Sequence, residues 1–161
     1  MYASIPLTAA TLNASRNKFL DLAIAAAKEA EQNGDVPVGA VVVYEDRVIA
    51  TAFNERERSQ DPTSHAEVTA LRKAAEIIGS WRLLNCDLFV TLEPCLMCTG
   101  ALIHARIRSV YFGATDPKAG ACGSVFQMHD SPQLNHRFQA VYLQNEECSS
   151  LLTEFFKRKR V

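Results

Sequence analysis

No run of apolar residues in this chain is long enough to span a bilayer. The opening stretch MYASIPLTAATLNAS also lacks the basic start and sustained apolar core of a secretory signal. We therefore read residues 1–15 as a flexible N-terminal leader, ahead of a single domain at 16–161 in a cytoplasmic protein. Glycine and proline are sparse, seven and six among 161 residues, and no internal repeat, low-complexity tract or linker interrupts the chain. Excess charge is missing too. Seventeen Lys and Arg face eighteen Asp and Glu, a formal net charge of -1, so any contact with nucleic acid must come from a local patch. The five cysteines are an odd count without the even spacing of a secreted disulfide framework, which favours free or metal-bound thiols in a reducing compartment. What remains is a 48% hydrophobic, 22% charged composition, sufficient for one compact domain with a sizeable core.

Alternation of helical and strand patterns sets the fold class. Residues 16–33 are rich in alanine and straight-chain side chains, with Leu20, Ile24 and Ala27 on one face and Asn33-Gly34 as a stop. Val38 to Tyr44 and Arg47 to Phe53 are β-branched runs joined by Glu45-Asp46, a hairpin whose turn pair is not a favoured primed-turn sequence. After a polar, turn-rich segment at 54–64, His65 opens a second helical pattern with Val68, Leu71, Ala75 and Ile78 on one stripe. Asp87 to Thr91 reads as a strand, Pro94 to about Arg106 as a helix, 109–113 and 138–143 as strands, and 146–160 as a last helix. This order predicts an α/β fold, with a central sheet covered on both faces and at least one parallel pair joined through a helix.

The stretch TLEPCLMCTG places Cys95 and Cys98 three apart at a helix start. Such a pair serves as a redox couple, as half of a zinc site, or as two small core residues. Three residues apart, the sulfurs share one helix face near its positive end, where thiolates are stabilised. A zinc site then needs another ligand at the same end of the sheet, and His65, also at a helix start, is the candidate. Three protein ligands leave a fourth position for water, whose pKa falls to roughly 7 from about 16. Glu67, two residues after His65, is placed to move its proton. Ser64-His65-Ala66-Glu67 also fits a capping box, with Ser64 capping the helix and Glu67 reaching back.

His65-Ala66-Glu67 with Pro94-Cys95-Leu96-Met97-Cys98 is the paired H-x-E and P-C-x-x-C pattern of zinc-dependent nucleobase deaminases. With VPVGAVVV (36–43), DPTSHAEVTALR (61–72), TLEPCLMCTGALIHARI (91–107), FGATDPKAGACGS (112–124), LNHR (134–137) and EFFKRKR (154–160), the chain closely resembles the bacterial tRNA-specific adenosine deaminases. The resemblance implies a three-layer α/β/α sandwich of cytidine-deaminase type with a mixed five-stranded sheet. It implies a homodimer with one zinc per subunit that converts the wobble adenosine of a tRNA anticodon to inosine by hydrolysis at C6. It also assigns roles: His65, Cys95 and Cys98 as zinc ligands, Glu67 as proton shuttle, and Asn54 as a nucleoside contact. Asp116 and Lys118 match positions at the RNA backbone, and Phe156 and Arg160 match positions that hold neighbouring anticodon-loop nucleotides. Such a loop already presents unstacked bases, which lowers the cost of extruding one, and Lys157 to Arg160 supply partners for phosphate. Cys122, Pro117 and the Lys-Arg-Lys centre of the tail depart from the family pattern.

Other readings accompany this one. Cys86, Cys122 and Cys148 are expected as buried or incidental thiols, and His104, His129 and His136 as locally hydrogen-bonded histidines. Phe155 is expected in the core and Phe156 toward RNA. A deaminase of a free base or nucleoside would use the same metal site with a closed pocket. A non-enzymatic RNA-binding protein would instead close the zinc with a fourth ligand, Cys86 or Cys122.

Overall fold

The computed structural model describes residues 8–160. Its five-stranded sheet has the order β2-β1-β3-β4-β5, with β1 at Gly39–Tyr44, β2 at Arg47–Phe53, β3 at Cys86–Leu92, β4 at Ser109–Ala114 and β5 at Gln139–Tyr142. β1 is antiparallel to both β2 and β3, whereas β3, β4 and β5 run parallel. The sheet is therefore mixed, as the three-layer reading expects. Helices α1 (Ala9–Gln32) and α5 (Glu146–Lys159) cover one face. Helices α3 (Ala66–Ile78) and α4 (Leu96–His104) cover the other, and a single turn, α2 (Arg56–Ser59), sits between β2 and α3.

Local sequence explains most of these boundaries. Glu45 and Asp46 both adopt positive φ, 48° and 60°, so the β1–β2 turn is of the primed kind that matches strand twist, although neither residue is glycine or asparagine. The register shifts between Val42 and Val43, where Val42 faces Ala50 and Val43 faces Val48, a bulge that leaves Ile49 without an opposite number. Helix α1 starts at Ala9, seven residues ahead of the sequence expectation, so residues 9–15 are helix and only 1–7 of the expected leader lie outside the described residues. Residues 9–15 are exposed all round, so no apolar stripe marks them. They are held by alanine-rich helix propensity and by Thr8, whose hydroxyl accepts from the Thr11 amide at 3.2 Å.

The larger core lies between the sheet and α3–α4, built from Val42, Leu88, Val90 and Val110 of the strands against Ala70, Leu71, Ala74 and Leu102 of the helices. On the opposite face, Phe89 stacks on Tyr111 at 4.6 Å between ring centroids, and Phe19 of α1 packs against Phe89. Gly39 lets α1 approach β1 closely, since a Cβ there would stand 2.5 Å from the Ala27 amide nitrogen. One consequence of this topology matters most. β2, β3 and β4 end, and β1 begins, at the same edge of the sheet, and the loops there lead into the N-termini of α3 and α4.

Candidate active site

The N-terminal residues of α3 and α4 meet at that edge. His65 is the N-cap of α3 and Cys95 the N-cap of α4, both in extended backbone conformation, and neither side chain makes a capping hydrogen bond. Both side chains point instead into a common cluster. His65 Nδ1 lies 3.7 Å from Cys95 Sγ and 3.5 Å from Cys98 Sγ, and the three donor atoms fall within 4.8 Å of one another. Among the described residues this is the one group of three metal-ligating side chains so arranged.

The cluster fits a zinc ion. Tetrahedral zinc with Zn–S near 2.3 Å and Zn–N near 2.1 Å places adjacent ligand atoms about 3.6 Å apart, and one imidazole with two thiolates is a donor set that suits this metal. The thiols are prepared for a cation. Cys95, half-buried, is pulled down to about 4 by the hydrogen it receives from Cys98, with His65 adding to the effect. Cys98, buried, is pushed up, first because it donates that hydrogen and then by burial. The pair thus shares one proton, which a cation would displace. Neither Cys86 nor Cys122 joins the cluster. Cys86 sits at the far end of β3, and Cys122 Sγ lies 3.5 Å from the Thr99 hydroxyl. Cys86, Cys122 and Cys148 are free and buried, and His136 Nε2 bonds the Ile107 carbonyl at 2.6 Å.

Glu67 is 4% exposed on the first turn of α3, and burial raises its carboxyl from 4.5 to about 7. The capping box offered by the sequence does not form. His65 takes the N-cap position, and the Ser64 hydroxyl donates to Asp61 at 3.1 Å. The helix therefore starts one residue later than a Ser64 cap requires, which frees the Glu67 carboxyl for the cleft.

That cleft, about 760 Å³, runs from His65, Glu67 and Cys95 past Asn54 and the 115–119 loop to α5. Asn54 is buried, donating from Nδ2 to the Val36 carbonyl at 3.2 Å and accepting from the Arg56 amide at 3.2 Å. Asp116 accepts from the Lys118 and Ala119 amides at 3.0 and 3.2 Å, which folds its loop into a tight turn, and Lys118 is exposed on the rim. Phe155 is buried, while Phe156, edge-on to it at 5.5 Å, is 46% exposed and lines the cleft.

The basic tail divides by helical periodicity. Lys157 and Arg160 line the cleft, whereas Arg158 pairs with Glu31 of α1 and Lys159 lies over the Phe155 ring at 5.4 Å. Four consecutive cations therefore supply two to the site. Sequence reasoning also missed Arg56 and Leu152 in the lining. Asp35 was missed as well, a buried carboxylate that accepts from the Glu57 and Arg58 amides at 2.8 and 3.1 Å and so holds α2 beside Asn54. A lone acid after a helix stop carries no pattern by which it could be singled out.

Known proteins share this architecture. Residues 13–114 match the family model for the cytidine and deoxycytidylate deaminase zinc-binding region. The tRNA-specific adenosine deaminase of Aquifex aeolicus (strain VF5) is 47% identical over 142 residues, which cover 88% of this chain and 94% of that protein. The tRNA-specific adenosine deaminase of Haemophilus influenzae is 45% identical over 145 residues, 89% of this chain and 84% of that protein. Among solved structures, one from work on A-to-I editing by tRNA:A34 deaminases superposes with a TM-score of 0.81 at 41% identity, covering 84% of this chain and 99% of that chain. A guanine deaminase from Bacillus subtilis superposes with a TM-score of 0.62 at 33% identity, covering 90% and 94%. By sequence over nearly its whole length and by fold, this chain belongs to the tRNA-specific adenosine deaminases of the zinc-binding cytidine and deoxycytidylate deaminase family.

Proposed function

We propose that this protein hydrolytically deaminates adenosine to inosine at the wobble position of a tRNA anticodon, using one zinc per subunit held by His65, Cys95 and Cys98. The observation that carries the reading is a single cleft with a buried acid beside a His/Cys/Cys cluster at one end and an exposed aromatic with two cations at the other. When bound, zinc supplies the Lewis acidity that brings a water's pKa toward neutrality. Glu67 would take one proton from the attacking water and pass it to the purine ring nitrogen, then take the second from the hydroxyl now bonded to C6 and give it to the departing amine, so that the C–N bond breaks, ammonia leaves and the C6 carbonyl forms. Burial raises this carboxyl toward neutrality, where a group both accepts and releases protons. Asn54 has one amide hydrogen beyond its bond to Val36 with which to orient the nucleoside. Phe156 offers a stacking face to a neighbouring base. Lys157, Arg160 and Lys118 stand where phosphates would pass, and the Asp116 turn borders the extruded nucleotide.

A free-base deaminase is the second reading, favoured by the guanine deaminase likeness. Against it stands the cleft itself, which stays open along α5 and is far larger than one purine needs. The test is to incubate zinc-loaded protein with an anticodon stem-loop carrying wobble adenosine, alongside free adenosine, cytidine and guanine. Inosine in the stem-loop alone is expected, and turnover of a free compound with none of the RNA sinks the reading. Truncation after Thr153 separates the two readings further, abolishing RNA turnover while leaving a small-molecule activity intact.

The enzyme acts in the cytoplasm as a homodimer. Five free thiols suit a reducing compartment, and among the described residues no helix is long and apolar enough to cross a membrane. Leu96 and Met97 on α4, with Val125, Phe126 and Met128 in the segment after β4, leave apolar area exposed. Sedimentation velocity checks the dimer, and a monomer at micromolar concentration would refute it.

A further inference from the structure

Three acidic side chains are buried among the described residues, Asp35, Glu67 and Glu93. Glu67 has a role above and Asp35 holds α2 in place. Glu93, 2% exposed and two residues before Cys95, forms no ion pair among the described residues. Both of its oxygens are used by backbone. Oε2 accepts from the Asp116 amide at 3.0 Å and Oε1 from the Ser124 amide at 3.0 Å. These amides lie eight residues apart in the long segment that follows β4, and the stretch around the first of them, residues 115–119, lines the cleft.

The surroundings are shaped to admit this carboxylate. A Cβ on Gly120 would fall well inside van der Waals contact with the Glu93 carboxyl and 2.7 Å from the Asp116 carbonyl oxygen. Gly120 does not have positive φ, so glycine serves there for space, not for backbone conformation. Its amide donates to the Asp116 carbonyl at 2.9 Å, and the Ala121 amide donates to the Pro94 carbonyl at 2.8 Å. Gly120 also bridges to Cys95 backbone to backbone. One carboxylate and one absent side chain therefore tie the metal-bearing start of α4 to the rim that meets the substrate.

We propose that Glu93 is a positioning residue for RNA recognition: by accepting from the Asp116 and Ser124 amides, it holds the 115–119 rim in the conformation that receives the nucleotides beside the target base. This rests on the wobble-adenosine reading above. A carboxylate suits the task because both oxygens only accept, while the two facing groups only donate. Glutamine, of nearly the same shape, must turn its own N–H₂ toward one of those amides. The rim then samples other conformations, and apparent affinity falls in proportion to the competent fraction. The chemistry at Glu67 is untouched once substrate is seated.

Glu93→Gln is therefore expected to raise KM for the stem-loop by about tenfold while kcat stays within about threefold and zinc content is unchanged. Gly120→Ala, which crowds the carboxylate without altering its charge, should reproduce that split, and the double variant should be little worse than either alone. Independently of any variant, the Asp116 and Ser124 amides of the zinc-loaded protein should exchange slowly with deuterium, and in Glu93→Gln at least one of them should exchange quickly. Unchanged KM in a folded Glu93→Gln protein overturns the proposal. So does a loss of zinc with kcat falling and KM steady, which would make Glu93 a support of the metal cluster alone. Should Glu93→Gln fail to fold, fast exchange of both amides in the unsubstituted protein overturns it. If the unsubstituted protein does not turn over the stem-loop at all, the wobble-adenosine reading fails, and the exchange measurement still reports on the Glu93 clamp.

Discussion

Four long helices start in two different ways. α1 and α5 begin on Thr8 and Asn145, whose side-chain oxygens accept from the Thr11 and Cys148 amides at 3.2 and 3.0 Å. α3 and α4 begin on His65 and Cys95, which cap nothing. A missing N-cap leaves first-turn amides unsatisfied at a cost of about 1 kcal/mol per helix. The two capped helices pack the opposite face of the sheet, with only the later turns of α5 reaching the cleft, and the two uncapped ones carry the His/Cys/Cys cluster. Where stability alone decides, the N-cap position holds the residue that helix physics prefers. At the cluster, the same position holds a candidate zinc ligand, His65 or Cys95, instead of a residue whose oxygen caps the helix.

The sharpest way to break this contrast is to make α3 start as α1 and α5 do. His65→Asn replaces a proposed zinc ligand with a preferred N-cap residue in a backbone already extended, φ -72° and ψ 150°. Turnover should vanish, and zinc affinity should fall by more than about 100-fold, the largest loss expected from disturbing only an outer partner of a metal ligand. The zinc-depleted variant should nevertheless be more stable than the zinc-depleted parent, by about 1 kcal/mol. Urea unfolding of the two metal-free proteins measures this. A less stable variant would mean that the contacts of His65 Nδ1 with the Cys95 and Cys98 sulfurs outweigh the gain from the new cap.

A second test concerns the acid that follows. The Glu67 carboxyl is raised by burial from 4.5 to about 7, so in zinc-depleted protein its neutral form is the one the fold favours. The stabilisation is fully present below pH 4.5 and is lost as pH rises through 7, a change of roughly 3 kcal/mol. Relative to Glu67→Gln, whose amide does not titrate, the zinc-depleted parent should therefore weaken steadily between pH 5 and pH 8. Parallel unfolding profiles across that range would contradict the burial argument. In the zinc-loaded protein the same substitution should lower turnover by roughly 10²–10⁴, the usual worth of a positioned proton-transfer group, without releasing metal.

The distinction between capped and uncapped ends also explains what could be read in advance. The strands, four of the five helices and the His65/Glu67/Cys95/Cys98 set follow from periodicity and from ligand spacing, because residue type and position carry the chemistry. The first seven residues of helix α1 are not legible in the sequence because residues 9–15 bury nothing and so leave no stripe. The single turn α2 was missed because the carboxylate that holds it, Asp35, lies some twenty residues earlier. The role of Glu93 is not legible in the sequence because its partners are backbone amides, which have no signature there. The Lys157–Arg160 run was read as one patch, whereas a helix turns successive residues by about 100° and gives two of them to the cleft.

The smallest effect tests the other half of the contrast. Asn145→Ala removes the oxygen that accepts from the Cys148 amide and should cost about 1 kcal/mol, lowering Tm by about 2–4 °C for a chain of this size. The helix should still form, because Glu146 and Glu147 remain in its first turn and Cys148 is buried beside Gly113. Phe156, eleven residues on, lies about 16 Å along the helix axis from the lost cap, so stem-loop turnover at 25 °C should stay within twofold of the parent. A fall in turnover that exceeded the loss of folded protein would show that the cap sets the placement of α5 over the cleft. The cap of α5 would then serve the cleft as well as the fold.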